Sequence, residues 1–364
     1  SIAELAMAGY LVATQLSIIF FSDNISANTY HFYDRVFVPM CLYLLIRLIQ
    51  PAEKEIKRLI PILIFILLTQ SIIGVLSWSA PQLLPNAWLG RVGSRTTGSL
   101  QAYSVFTVTA LTCGLFILHN TLNTDLSKKR HLFHYALFAL AYFMVFFSFS
   151  RGSWLAGSLV FLGLIVVYRS FMTKFILIVV PLVVILLGVG LLHQQAEWAS
   201  QRFYSDRSAE AALSRLPIYY ASYRMFEEKP ILGWGYGNFD RYDRLFQARV
   251  GELINAEKDH ASHNLYLTIV AEQGIVGIFF FLVPLLWWLV LSGQAYKKLP
   301  AEGVWSRKLL VLLWLMLLFH VVVNNFSNMK IVYGLGMWWI TLGFIAVIVT
   351  NSLAATPQQA EVTR

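Results

Sequence analysis

The chain has 364 residues, 57% of them hydrophobic and 13% charged, with a formal net charge of +9. Soluble domains carry about 25% charged residues, so a soluble enzyme is excluded. The Lys and Arg residues are scattered over short connections and form no basic helix or stripe, which excludes nucleic acid as a partner.

In chain order, ten candidate spans lie at about 2–21, 36–49, 59–78, 101–119, 131–149, 152–168, 171–192, 264–292, 308–325 and 331–350. Runs such as LIPILIFILLTQSIIGVLSW approach the ~20 apolar residues that cross a bilayer as a helix. Barrel strands would alternate polar and apolar residues in short segments instead. The expected fold class is therefore an all-α polytopic membrane protein with one large external, partly helical loop. Cys41 and Cys113 fall inside apolar runs and read as small core residues, not as a disulfide or metal framework.

Orientation follows from the short loops. Lys54, Lys57, Arg58, then Lys128, Lys129, Arg130, then Arg169 and Lys174, then Lys297, Lys298, Arg307 and Lys308 fall on one side. The alternate short loops carry only Arg35, Arg91, Arg95, Arg151 and Lys330. An excess of Lys and Arg marks cytoplasmic loops, so both ends of the chain are expected in the cytoplasm. The expected organisation is N-terminal transmembrane helices over 1–192, a large external loop over 193–263, C-terminal transmembrane helices over 264–350 and a cytoplasmic tail over 351–364. The loop carries nine Lys/Arg and ten Asp/Glu, and a loop of this length usually has structure or function of its own. Within it, helix is expected over 211–228, then a Gly-rich turn (KPILGWGYGNF), then a charged helix over about 239–251.

The polar residues that could do chemistry gather on the external side. Read as one helix at 100° per residue, residues 263–277 place His263, Val270, Gly274 and Gly277 on one face and Glu272 on the opposite one. Small residues on that face admit a close neighbour. A straight helix over 264–292 would measure about 43 Å, longer than a hydrocarbon core of about 30 Å, so His263 is expected at the headgroup layer. Arg151 lies in FSFSRGSWLAG, where Arg151–Gly152 is the break in an apolar run too long for one span, so its guanidinium sits at a tight external turn. Taken alone, Arg215 in LSRLPIYY and Arg95 in GRVGSRTTGSL read as solvated charges. Gly233, Gly235 and Gly237 read as turn glycines, since their spacing is not a nucleotide fingerprint. His320, Asn324 and Asn328, four apart on one helix face, read as polar packing inside the bundle. The sequence holds no D-x-D pair, no His/Cys cluster and no G-x-S-x-G, and its external acids are dispersed among bases, whereas a metal-assisted transferase would want clustered carboxylates. No metal and no cofactor are expected.

Three segments carry a family resemblance: SRGSWLA at 150–156, SRLPIYYASYRMFEEKPILGWGYGNF at 214–239, and His263-Asn264 followed after nine residues by G-I-V-G at 274–277. In this order and topology, over about residues 90–290, the chain resembles the O-antigen ligase and polymerase superfamily of bacterial envelope glycosyltransferases. It departs at RTTGSLQAYS, which lacks the Asn-Pro-Asn that members often carry after the R-x-x-G step. The resemblance implies about twelve spans, of which two would precede Ser1. It implies transfer of O-antigen polysaccharide from undecaprenyl diphosphate to a sugar hydroxyl of lipid A-core, at the periplasmic face of the bacterial inner membrane, without a metal or a nucleotide sugar. Arg151 and Arg215, with Arg95, would hold the diphosphate, because a guanidinium fork binds phosphate bidentately and stays charged. His263 would be the base for the acceptor hydroxyl, since imidazole ordinarily titrates near 6.5. Asn264, Gly274 and Gly277 would be structural members of the motif. Membrane lipids are the remaining partners. The rival readings are an O-antigen polymerase, a protein O-oligosaccharyltransferase and, outside enzymes, a lipid or glycan transporter.

Overall fold

The structure, a computed structural model, describes residues 1–88, 100, 103–190, 192–204, 213, 215–246, 262–326 and 332–354. Among them it is helical throughout, with no strand. The elements are α1 (Ile2–Phe21), α2 (Ile25–Phe32), a π-turn (Tyr33–Phe37), α3 (Val38–Ile49), α4 (Glu53–Ser79), α5 (Tyr103–Leu122), α6 (Lys128–Phe147), α7 (Arg151–Val167), α8 (Arg169–Gly188), α9 (His193–Tyr204), α10 (Leu216–Glu228), α11 (Phe239–Phe246), α12 (Leu265–Lys298), α13 (Arg307–Asn324) and α14 (Val332–Ala354). Among the described residues, eight helices are long and apolar enough to cross a membrane: α1, α4, α5, α6, α8, α12, α13 and α14. α7 is a shorter apolar helix of the same bundle. The chain is an all-α polytopic membrane protein.

The helix at the expected second span is longer than the sequence suggested, and it is not among those eight. Helical backbone runs from Ile25 through the π-turn to Ile49. It starts eleven residues early because Asn24 caps it, its Oδ1 accepting from the Ala27 amide at 3.0 Å. The added turns carry Asn28, His31, Asp34 and Arg35, which interrupt the apolar run by which a span is recognised. α14 likewise continues past 350 to Ala354. In the large loop, α10 begins at Leu216 with Pro217 in its first turn, and α11 is described to Phe246.

The core is built from paired helices: α3 on α14, α1 on α12, α5 on α6 and α13 on α7. Trp338, Trp339, Tyr43, Phe138 and Phe319 are among its largest fully buried side chains. A polar network joins four helices at one end of the bundle. The Tyr43 hydroxyl donates to Glu4 at 2.6 Å and accepts from the Trp288 indole at 3.0 Å. Arg47 reaches Glu4 at 3.4 Å and the Thr350 hydroxyl at 3.0 Å, with its guanidinium 5.3 Å from the centre of the Trp288 ring. Tyr43→Phe removes the shared hydroxyl and leaves an indole N–H unmet, which costs about 1–3 kcal/mol. A thermal unfolding scan in detergent should show a lower Tm, and an unchanged Tm would mean that the network adds nothing to the fold.

The basic turns share one end. His119, near the end of α5, bonds the Tyr168 hydroxyl between α7 and α8 at 2.6 Å and the Val304 carbonyl between α12 and α13 at 2.9 Å. The turns containing Ser148–Ser150, His263 and Phe326 lie at the opposite end.

Candidate active site at the end of α13

Each candidate side chain is positioned by local backbone chemistry. Between α6 and α7 the chain reverses in three residues, Ser148–Ser150. The Ser148 hydroxyl donates to the Val145 carbonyl at 2.7 Å and accepts from the Ser150 amide at 3.3 Å. The Ser150 hydroxyl accepts from the Ser153 amide at 3.3 Å and caps α7. Phe149, between the serines, has φ 49° and is buried. Trp154 locks the reversal by donating to the Phe146 carbonyl at 2.8 Å while stacking on the Phe146 ring. Trp198 of α9 meets Phe149 edge-on from outside. Arg151 is therefore the first residue of α7, exposed at a fixed turn.

His263 also has a left-handed backbone, with φ 51°. Among the described residues only Gln50, Phe149 and His263 are non-glycines with positive φ, and two of these flank the candidate site. His is among the residues enriched in this region, and both neighbours hold it there. The Ser262 hydroxyl accepts from the Asn264 amide, donates to the Asn264 carbonyl and bonds the Thr268 hydroxyl. The Asn264 side chain caps α12, its Oδ1 accepting from the Tyr266 and Leu267 amides at 3.0 Å each. His263 is thus outside the helix, ahead of its cap, and half-buried.

These pieces meet at the end of α13. Asn264 Nδ2 donates to Asn325, at 3.4 Å to its carbonyl and 3.3 Å to its Oδ1. Arg215, half-buried just before α10, donates from Nη1 to the Phe326 carbonyl at 3.4 Å. Gly152, next to Arg151, packs so closely on Phe326 that an added Cβ would lie 2.9 Å from the Phe326 Cβ. Residues adjacent to two candidates, and the third candidate itself, therefore contact one two-residue platform, Asn325–Phe326. The structure brings Arg151, Arg215 and His263 to a common end of the bundle. Arg95 lies outside the described residues.

The single-helix reading of 263–277 does not hold. α12 breaks at Gly274, whose φ 62° and ψ −156° are non-helical, a combination essentially confined to glycine. The face shared by His263, Val270, Gly274 and Gly277 therefore does not exist as one continuous stripe. Instead, the turn after α10 threads into the break. The Trp234 and Gly235 amides donate to the Ala271 and Glu272 carbonyls at 3.0 and 2.8 Å. The Ile275 and Val276 amides donate to the Pro230 and Ile231 carbonyls at 2.8 and 3.3 Å. Backbone groups freed by the break are thus satisfied by the turn, as burial requires. Gly233, with φ 67°, fits because a Cβ there would lie 2.3 Å from the Glu272 carbonyl carbon. The Glu272 side chain caps α11, its Oε1 accepting from the Phe239 amide at 3.1 Å. Beyond the break, residues 275–298 form a helix of about 36 Å, enough to cross the hydrocarbon core.

The same turn is moored to α1 and α2. The Asn238 side chain donates to the Phe21 carbonyl at 2.8 Å, the Tyr236 amide donates to Ser17 at 3.0 Å, and Arg241 pairs with Asp23 at 2.6 Å. His320 and Asn324 are fully buried on α13 beneath the platform, His320 edge-on to Trp338, while Asn328 lies outside the described residues. Sequence reasoning missed Asn325 and Phe326, which carry no chemical signature of their own. It also missed the threading, although the paired glycine motifs at 233–237 and 274–277 were its visible trace. Among the described residues, no three His, Cys, Asp or Glu side chains group as a metal site.

Comparison with known proteins gives one result. Residues 136–282 match the family model described as O-antigen ligase. No curated protein matches the chain. The matched stretch runs from α6 through the Arg151 turn, α10, the threaded turn and His263 to the part of α12 beyond Gly274. The order in which the motif residues occur and the stretch that the family model covers coincide, and residues 136–282 of the chain are similar to the O-antigen ligase family.

Proposed function

We propose that this protein is a metal-independent, inverting glycosyltransferase. It transfers O-antigen polysaccharide from undecaprenyl diphosphate to a sugar hydroxyl of lipid A-core at the periplasmic face of the bacterial inner membrane. The observation that carries this reading is the gathering of Arg151, Arg215 and the His263-Asn264 pair around Asn325–Phe326. Placing that end in the periplasm rests on the Lys/Arg bias of the opposite turns.

In the reaction the acceptor hydroxyl oxygen attacks the anomeric carbon of the donor sugar. Its proton passes to His263. The bond from the anomeric carbon to the phosphate oxygen breaks, and the diphosphate leaves with the electron pair. Attack opposite the leaving group inverts the anomeric centre. Negative charge grows on the diphosphate, and Arg151 and Arg215 meet it with fixed cations where it develops. The rigid turn before Arg151 and the bond from Arg215 to Phe326 keep these forks from reorganising during the step. The His263-Asn264, x9, G-x-x-G pattern favours a ligase over a polymerase. A break such as that at Gly274 also occurs in transporters, where freed backbone groups line an ion site. Here the threaded turn takes up those groups, which favours an enzyme.

Purified protein supplied with undecaprenyl diphosphate-linked glycan and lipid A-core should yield glycosylated lipid A-core, with the same rate in EDTA. A longer lipid-linked glycan would identify a polymerase, and no covalent product would overturn the enzyme reading. Arg215→Lys should lose about tenfold or more of that rate, since the charge stays but the planar fork does not. A Lys variant as fast as wild type would show that charge alone suffices.

A further inference from the structure

At the basic end, α8 stands apart from the bundle. Of its residues only Met172 is buried. It leans on α6 through rings: Phe171 against Tyr135 at 4.8 Å, and Phe175 against Phe138 at 5.1 Å between centroids. Beside these rings runs an open groove of about 780 Å³, the size of a small-molecule site. Ala136 and Ala139 of α6 leave its width, and Ile178, Val179 and Leu182 of α8 form the other wall. Its mouth carries Arg169, Lys174 and Lys308, and no acidic residue lines it. Lys308 is paired with Glu302 at 2.9 Å. Arg169 and Lys174 are exposed, and neither has an acidic partner among the described residues. Tyr168, at the floor, is held by His119, so the mouth has a fixed base. An apolar trough closed at one end by two unshared cations complements one kind of molecule: an acyl chain bearing a phosphate.

We propose that this groove binds an anionic phospholipid of the leaflet opposite the candidate active site, with its phosphate between Arg169 and Lys174 and an acyl chain between α6 and α8. Basic pockets between transmembrane helices hold anionic headgroups by this chemistry, and Lys174, a turn inside the membrane, can extend its amine back to the headgroup. The site is independent of the transfer reaction and uses none of its residues.

Native mass spectrometry of the full chain tests it, with phosphatidylglycerol and phosphatidylcholine of identical acyl chains added at equal concentration. The wild type should retain phosphatidylglycerol at least fivefold over phosphatidylcholine. Arg169→Gln with Lys174→Gln should abolish that preference. Ala139→Trp, which fills the groove, should remove the retained lipid. Val179→Trp does the same from the other wall if the first variant does not fold. Equal retention of the two lipids by the wild type would overturn the site. So would an unchanged preference in the double Gln variant. Phosphatidylglycerol surviving in the groove-filled variants would show that a surface charge, not the groove, holds the headgroup.

Discussion

Replacing His263 with Asn should lower the transfer rate by roughly 10²–10⁴-fold, the usual contribution of a positioned general base, while leaving the fold intact. Asn is the informative substitution because it tolerates the left-handed backbone that His263 occupies, and it has no basic nitrogen near neutral pH. The neighbouring clamps stay in place. Ser262 still closes on Asn264 and Thr268, and Asn264 still caps α12 and reaches Asn325. Tm and donor binding should therefore match the wild type, with the defect confined to the chemical step. His263→Ala should be equally inactive and slightly less stable, because Ala is less at ease at φ 51°. Initial rates with purified protein and both lipid substrates check this. A His263→Asn rate within threefold of wild type would remove the base role.

Gly274→Ala should be strongly destabilising. The added Cβ would lie 2.4 Å from the Ile231 carbonyl oxygen and 2.6 Å from that of Pro230, and backbone cannot swing away as a flexible side chain can. The conformation itself, φ 62° and ψ −156°, costs a non-glycine residue about 1–3 kcal/mol. Relief by moving the turn would break the bonds from Ile275 to Pro230 and from Trp234 to Ala271, each worth about 1 kcal/mol. The sum is about 3–5 kcal/mol, so folded yield in detergent should collapse or Tm fall by many degrees. Gly293→Ala in the same helix is the opposite case. Nothing lies within 4 Å of its added Cβ, and it should hold or raise Tm, since Ala is the better helix former by about 1 kcal/mol. Equal melting of the two variants would mean that the threaded turn does not brace the break.

These two positions also show what could be read from sequence. Arg151 was legible because an apolar run too long for one span has to turn somewhere, and its only polar break is the turn. Most span boundaries were legible because lipid demands uninterrupted apolar length. The helix start at Ile25 was not, since Asn28, His31, Asp34 and Arg35 interrupt the apolar pattern and the start is set by the Asn24 cap. Arg215 alone looked like any solvated loop charge. Its place beside Phe326 depends on a contact across more than a hundred residues, which no local pattern encodes. The Gly274 break escaped a helical projection because that projection assumes constant rotation per residue. What holds the break, a second segment inserted backbone to backbone, appears in sequence only as glycines that look like ordinary turn residues.

Direct binding of undecaprenyl diphosphate, without glycan, to protein in lipid nanodiscs separates the two halves of the candidate site. Arg151→Ala with Arg215→Ala should weaken Kd at least tenfold, while His263→Asn should bind as tightly as the wild type. Wild-type affinity in the double arginine variant, or an equal loss in His263→Asn, would contradict that separation of roles.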